Sequence, residues 1–182
     1  MKSNSLKTIL KEIDILKTNF TNCRAYFPHI PEKLIGSRRW KTAPFYWNKG
    51  FAVTLSSSKP LTKKDIQRNN EIGHWINENV VVRLCAILQS HSILSEKVSI
   101  DKSIDGSKEV DLLRRLRDVI AHTSARYNPN KGKHKRLLKE LVSHFGLSNG
   151  NRKEFPLDID KVIYPLFEGC NRYVQGKISI SQ

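Results

Sequence analysis

Apolar residues recur every three or four positions along most of the chain, and this spacing predicts helices. Leu6, Ile9, Leu10, Ile13, Leu16, Phe20 and Cys23 mark an amphipathic helix over 5–27, stopped by Pro28 and Pro31. Thr62 and Asp65 have the form of a capping box. They open a second long segment in which Ile76, Val80, Leu84, Ile87, Leu88 and Leu94 keep helical spacing, with Gly73 as the candidate break. A polar stretch with the turn signal Asp105-Gly106 follows. Leu112, Leu113, Leu116, Val119, Ile120 and Thr123 then line a helix over about 108–125. Leu137, Leu138, Leu141, Val142 and Phe145 line another over 134–146, ended by Gly146. Ile159, Val162, Ile163, Leu166, Phe167, Cys170 and Val174 line the last, over 158–175, with a kink expected at Pro165.

Residues 28–60 break the pattern. They hold Pro28, Pro31, Pro44, Pro60, Gly36 and Gly50 with an aromatic group, Trp40, Phe45, Tyr46, Trp47 and Phe51. A long ordered loop or a short hairpin is expected, since FAVTL (51–55) alternates weakly like a strand. The sum is an all-α, up-and-down helical bundle of about five helices, with an irregular aromatic-rich insertion at about 28–60. No repeat or boundary divides the chain. One domain over 1–182 is expected, made of an N-terminal helix 5–27, a loop 28–60 and a bundle core 62–175.

Composition adds a partner to this picture. Lys and Arg outnumber Asp and Glu by 32 to 17, giving a net charge of +15. Such a surface attracts polyanions, nucleic acid foremost. From Asp111 to Lys139 there are nine bases and two acids. No apolar run approaches the ~20 residues of a membrane span, and the N-terminal segment lacks the pattern of a signal peptide. Cys23, Cys85 and Cys170 are odd in number and far apart, as for reduced core cysteines of a cytoplasmic protein. No cysteine or histidine spacing suits a metal, and no phosphate-binding glycine loop or nucleophile elbow occurs. No metal or cofactor is therefore expected.

The basic stretch holds RDVIAH, Arg117 to His122. Arg24 and His29 share its spacing but run into Pro28, and Arg68 and His74 lie one residue further apart around Gly73. Only Arg117–His122 is an arginine, a polar residue, two aliphatics, a small residue and a histidine, late in an amphipathic helix that follows a long apolar one, WINENVVVRLCAILQ (75–89). This combination resembles the HEPN family, whose signature is R-[N/D/H]-x-x-x-H. The resemblance covers the architecture of about 62–175 and is specific over these six residues. It implies a small helical, metal-independent endoribonuclease that dimerises so that two motifs share one groove. It also implies roles as a toxin or in phage defence, with an antitoxin or defence-system protein as partner. Some members bind RNA or proteins without cleaving.

The residue types suit that chemistry. RNA is cleaved when its 2′-OH is deprotonated and attacks the adjacent phosphorus. Imidazole titrates near neutral pH and can move that proton. A guanidinium stays charged and offers a fork to phosphate oxygens. The catalytic candidates are Arg117, His122 and Asp118, the last placed to hold Arg117 or orient a histidine, with plain helix solvation as the alternative. Arg114, Arg115, Arg126, Lys135 and Arg136 are the candidate RNA-binding residues, with ordinary surface charge as the alternative. Five residues turn a regular helix by about 140° net. Arg117 and His122 therefore meet only if the helix ends or distorts near Ala121, or if they act from different subunits. Two residues after the histidine, where antitoxin-paired members carry tyrosine, stands Ser124. The interleaved bases and rings of 38–51 suit either stacking on unpaired bases or cover for one end of the bundle. The rival to the ribonuclease is an inactive helical RNA-binding or protein-interaction module.

Overall fold

The capping pair expected at Thr62 and Asp65 forms. Asp65 accepts from the Thr62 backbone N–H at 2.9 Å, and Thr62 Oγ1 accepts from the Asp65 N–H at 3.2 Å. The computed structural model describes residues 3–41, 53–95, 99–123, 125–148 and 153–180. Among these, five α-helices carry the fold: α1 (Ser3–Tyr26), α2 (Lys63–Ser90), α3 (Ser107–Thr123), α4 (Gly132–Phe145) and α5 (Tyr164–Ile180). Two short antiparallel strands, β1 (Arg39–Lys41) and β2 (Thr54–Ser56), pair Trp40 with Leu55. The protein is thus mainly α. Phe45, Tyr46, Trp47 and Phe51 lie outside the described residues, as does Ser124. Of the FAVTL strand, the described part enters β2 at Thr54 and Leu55.

The chain packs as two compact units, 17–77 and 1–16 with 78–182. In the first, Ile30, Leu61 and Ile66 form a small core, with Leu34 and Trp40 packed on it. Asn70 ties the Pro28–Ile30 turn to α2. Its Oδ1 accepts from the Ile30 N–H at 2.8 Å and its Nδ2 donates to the Ile30 carbonyl at 3.0 Å. Asn69 Nδ2 donates to the Pro28 carbonyl at 2.6 Å. These bonds satisfy backbone groups that no strand or helix takes up. α2 runs unbroken through Gly73, against the expectation of a break there. A Cβ at that position would collide with the guanidinium of Arg24, which is 4% exposed and donates to the Phe27 carbonyl. Gly73 makes room for a buried arginine; it does not end a helix.

In the second unit the apolar stripes predicted from spacing turn inward. Leu112, Leu113 and Leu116 of α3, Leu137 and Leu141 of α4, and Phe167, Cys170 and Val174 of α5 are buried. α3 meets α5 backbone to backbone. Gly106 has φ +83°, a conformation costly to any residue with a Cβ. A Cβ there would strike the carbonyl oxygen of Gly169, and one on Gly169 would strike Glu109. One face of α5 further along holds Gly176, packed against Ile104, and Tyr173, whose hydroxyl accepts from the Asp101 N–H at 3.0 Å. α3 is fixed to α4 by charge. Arg115 grips Glu140 with two bonds, of 2.9 and 2.6 Å, and Lys108 pairs with the same carboxylate.

The helix over 158–175 departs from expectation at its start. Residues Ile159–Ile163 form a π-turn, entered by Asp158, whose side chain accepts from the Lys161 N–H at 2.9 Å. Pro165 therefore falls at the second position of α5 instead of kinking its middle. Proline lacks an N–H and crowds the carbonyl four residues back, and the wider turn accommodates both. α4 ends as predicted. Gly146 sits at φ 60° and ψ 38°, and its N–H bonds to the Val142 carbonyl.

Gly106→Ala is expected to lower stability by about 3 kcal/mol, from left-handed strain and a backbone clash. Gly132→Ala, where a Cβ meets nothing within 4 Å, is expected to be neutral or to raise it by about 0.5 kcal/mol. Thermal unfolding of the two variants beside the parent checks both.

Candidate functional site

α3 carries the motif, and the helix is continuous through His122 to Thr123. Of the two ways in which Arg117 and His122 were expected to meet, distortion near Ala121 is removed. The residues stay about 140° apart around the axis. His122 is exposed, in the last turn, and makes no hydrogen bond or ion pair among the described residues. Arg117 flanks the buried face at 30% side-chain exposure. Its Nη1 donates to Asp118 Oδ1 at 2.8 Å. The Arg117 guanidinium also lies near the thiol of Cys85 on α2. Burial pushes the Cys85 thiol up, with Arg117 pulling against it, so the group beneath the arginine is a neutral S–H. Asp118 thus holds Arg117, one of the roles its position suggested.

The candidate RNA-binding residues separate into two groups. Arg115 is committed to Glu140, with a further contact from its Nε to Asp111 at 3.0 Å. The Arg115 and Lys108 cations hold the Glu140 carboxyl down to about 2. Arg114 is half-exposed and leans on Asp111 at 3.1 Å. Arg126, Lys135 and Arg136 are exposed and have no acidic partner among the described residues. On α4, Lys135 and Arg136 stand with Lys139 on the side opposite Leu137 and Leu141, so the helix shows solvent a basic face.

The segment after His122 is held by Ala125 and His134. Ala125 takes φ 54° and is buried, which turns the chain sharply away from α3. Its carbonyl accepts from the Phe155 N–H at 2.8 Å, and Tyr127 N–H donates to the Lys153 carbonyl at 2.9 Å. His134 closes this turn. It is 7% exposed, and its Nδ1 accepts from the Asn128 N–H at 3.1 Å. Its ring lies 5.3 Å from that of Phe155, edge to face. Burial pushes the His134 pKa down, with Lys131 adding to the shift. The neutral imidazole is the structural form here, and it fixes the backbone that carries Arg126. The signal that could have found it is weak, a histidine in register with Leu137 and Leu141 on an otherwise apolar stripe.

Among the described residues no group of three or more His, Cys, Asp or Glu side chains is placed to hold a metal ion. No described helix is long and apolar enough to cross a membrane.

Two groups set how this unit responds to acid. His134 binds its proton less well folded than unfolded, so its contribution is complete above about pH 6.5 and falls as pH drops through that value. Glu140 has a depressed carboxyl, so its contribution is present above about pH 4.5 and is lost as pH falls toward about 2. A melting-temperature profile is expected to decline first below about pH 6.5 and again below about 4.5. His134→Asn keeps an acceptor for Asn128 and should flatten the first decline alone; Glu140→Gln should flatten part of the second.

Comparison with protein families, curated proteins and solved structures finds no match for this chain.

Proposed function

We propose that the protein is a metal-independent endoribonuclease whose reactive groups come together between two copies of the chain. The observation that carries this reading is the position of His122. It is a solvent-facing imidazole without a partner among the described residues, in the last turn of a basic helix, on a side of that helix that Arg117 does not share. One chain offers the two groups to different neighbours, and a two-fold pair of chains offers both to one phosphate. The turn that follows brings Arg126, and α4 brings Lys135 and Arg136, as unneutralised cations for a phosphate backbone.

In this reading one His122 takes the proton of a ribose 2′-OH as O2′ bonds to phosphorus. The P–O5′ bond breaks, and the second His122, in its protonated form, returns a proton to O5′. The products are a 2′,3′-cyclic phosphate and a 5′-OH. Arg117 stabilises the negative charge that builds on the non-bridging oxygens, and Asp118 sets its orientation. A toxin or phage-defence role, an antitoxin partner and a cytoplasmic location extend the same proposal.

A second reading has its own support. Arg117 is held by Asp118 and lies near Cys85, an arrangement that also suits a structural arginine. The protein would then be a helical module that holds RNA without cutting it.

Cleavage of mixed cellular RNA in EDTA separates the two. The proposal expects His122→Ala to lose about 10²–10⁴-fold in rate and Arg117→Ala about 10²–10³-fold, with both variants folded and the parent leaving cyclic-phosphate ends. A parent that binds RNA but leaves it intact, or cutting unaffected by His122→Ala, rejects the ribonuclease and favours the binding module.

A further inference from the structure

The basic stretch around the motif does not hold all of the charge. Residues 17–77 carry eleven Lys and Arg against three Asp and Glu, so a third of the chain holds +8 of its +15. The three acids of this unit are engaged. Glu32 faces Lys63 at 3.7 Å. Asp65 caps α2 through Thr62, with Lys64 and Arg68 flanking it. Glu71 accepts from Gln67 Nε2 at 2.9 Å.

The first half of α2 arranges part of this charge around a ring. Lys64, Arg68, Glu71 and Trp75 are all exposed. Their spacing of four, three and four residues sets them in one line along the helix, about 16 Å from end to end. Trp75 is 62% exposed, although tryptophan is the largest side chain to leave in water. Ile66, about 180° round the helix from Trp75, is 3% exposed and packs into the Ile30–Leu61 core. The stripe is therefore the outward face of an anchored helix. It carries a single exposed ring, Trp75, which suits a stacked ligand.

We propose that this stripe is a binding site for single-stranded nucleic acid, with Trp75 stacked on an unpaired base and Lys64 and Arg68 on the phosphates beside it. Cations hold a backbone of any sequence, and a flat ring is sequence-tolerant because every base has a π-face. A duplex keeps its bases covered and offers the ring nothing. The site does not depend on RNA cleavage and stands whether or not the Arg117–His122 pair is catalytic. If both readings hold, residues 17–77 retain the strand that α3 cuts.

The test is fluorescence anisotropy with labelled 12-nucleotide single-stranded RNA, in the full-length His122→Ala background so that cleavage plays no part. Trp75→Ala is expected to weaken binding about tenfold with no change in salt dependence, and Trp75→Phe to restore most of it. The double variant Lys64→Gln/Arg68→Gln is expected to reduce the slope of log Kd against log salt by roughly 1.4, two phosphates at about 0.7 each. Single-stranded DNA of the same length should show the same Trp75 effect, and duplex RNA none. Unchanged affinity in Trp75→Ala overturns the proposal. So does displacement of the RNA by polyglutamate or by anionic phosphatidylserine vesicles at matched charge, since either makes the stripe a general anion surface.

Discussion

The position of α3 depends on the contact between Gly106 and Gly169. A side chain on either residue would meet backbone or a neighbouring stem, so the two helices approach only because neither position has one. Glycine within a helix, as at Gly169, costs roughly 0.5–1 kcal/mol relative to alanine. Here that cost is offset by packing that buries Val110, Leu113 and Leu116 on one side and Phe167, Cys170 and Tyr173 on the other. With its start set by Gly106 and its flank clamped by Arg115 to Glu140, α3 has no freedom to rotate. Its rotation decides where the two side chains of the motif face. Arg117 is turned to the Cys85 thiol and His122 to solvent.

A dyad needs its two groups within reach of one reacting atom. A straight helix denies this to residues five apart, and α3 is continuous through Thr123. In the proposed reading a second copy of the chain completes the motif. The charge distribution is consistent with a long polyanion as ligand. The face on α4 and the Lys64–Arg68–Trp75 stripe on α2 lie in different units, and each presents exposed cations.

Much of the fold was legible in the sequence because helix period and capping are local signals. Thr62 with Asp65, Gly146, and the leucines of α3 and α4 each act within one turn of their own position. The departures arise from partners far along the chain. Gly73 resembles a break until Arg24 is seen to occupy the space its side chain would fill. Arg115 resembles a free phosphate ligand until Glu140, 25 residues on, is found holding it. His134 is shown to be structural only when Asn128 and Phe155 are seen to close round it. The π-turn before Pro165 answers a steric need that periodicity does not encode. At the motif, helical geometry alone separated Arg117 from His122, whereas the seat of Arg117 on Cys85 needed the tertiary structure.

The central claim is that Arg117 and His122 act from different copies of the chain. It is tested most directly by co-expressing Arg117→Ala with His122→Ala, each carrying its own tag, and purifying the mixed dimer through both. The account predicts that the mixed dimer recovers part of the parent's RNA cleavage in EDTA, because one chain supplies an arginine and the other supplies one of the two histidines, whereas each variant alone lacks one of the two groups altogether. A mixed dimer as inactive as either variant alone, beside an active parent, would contradict it.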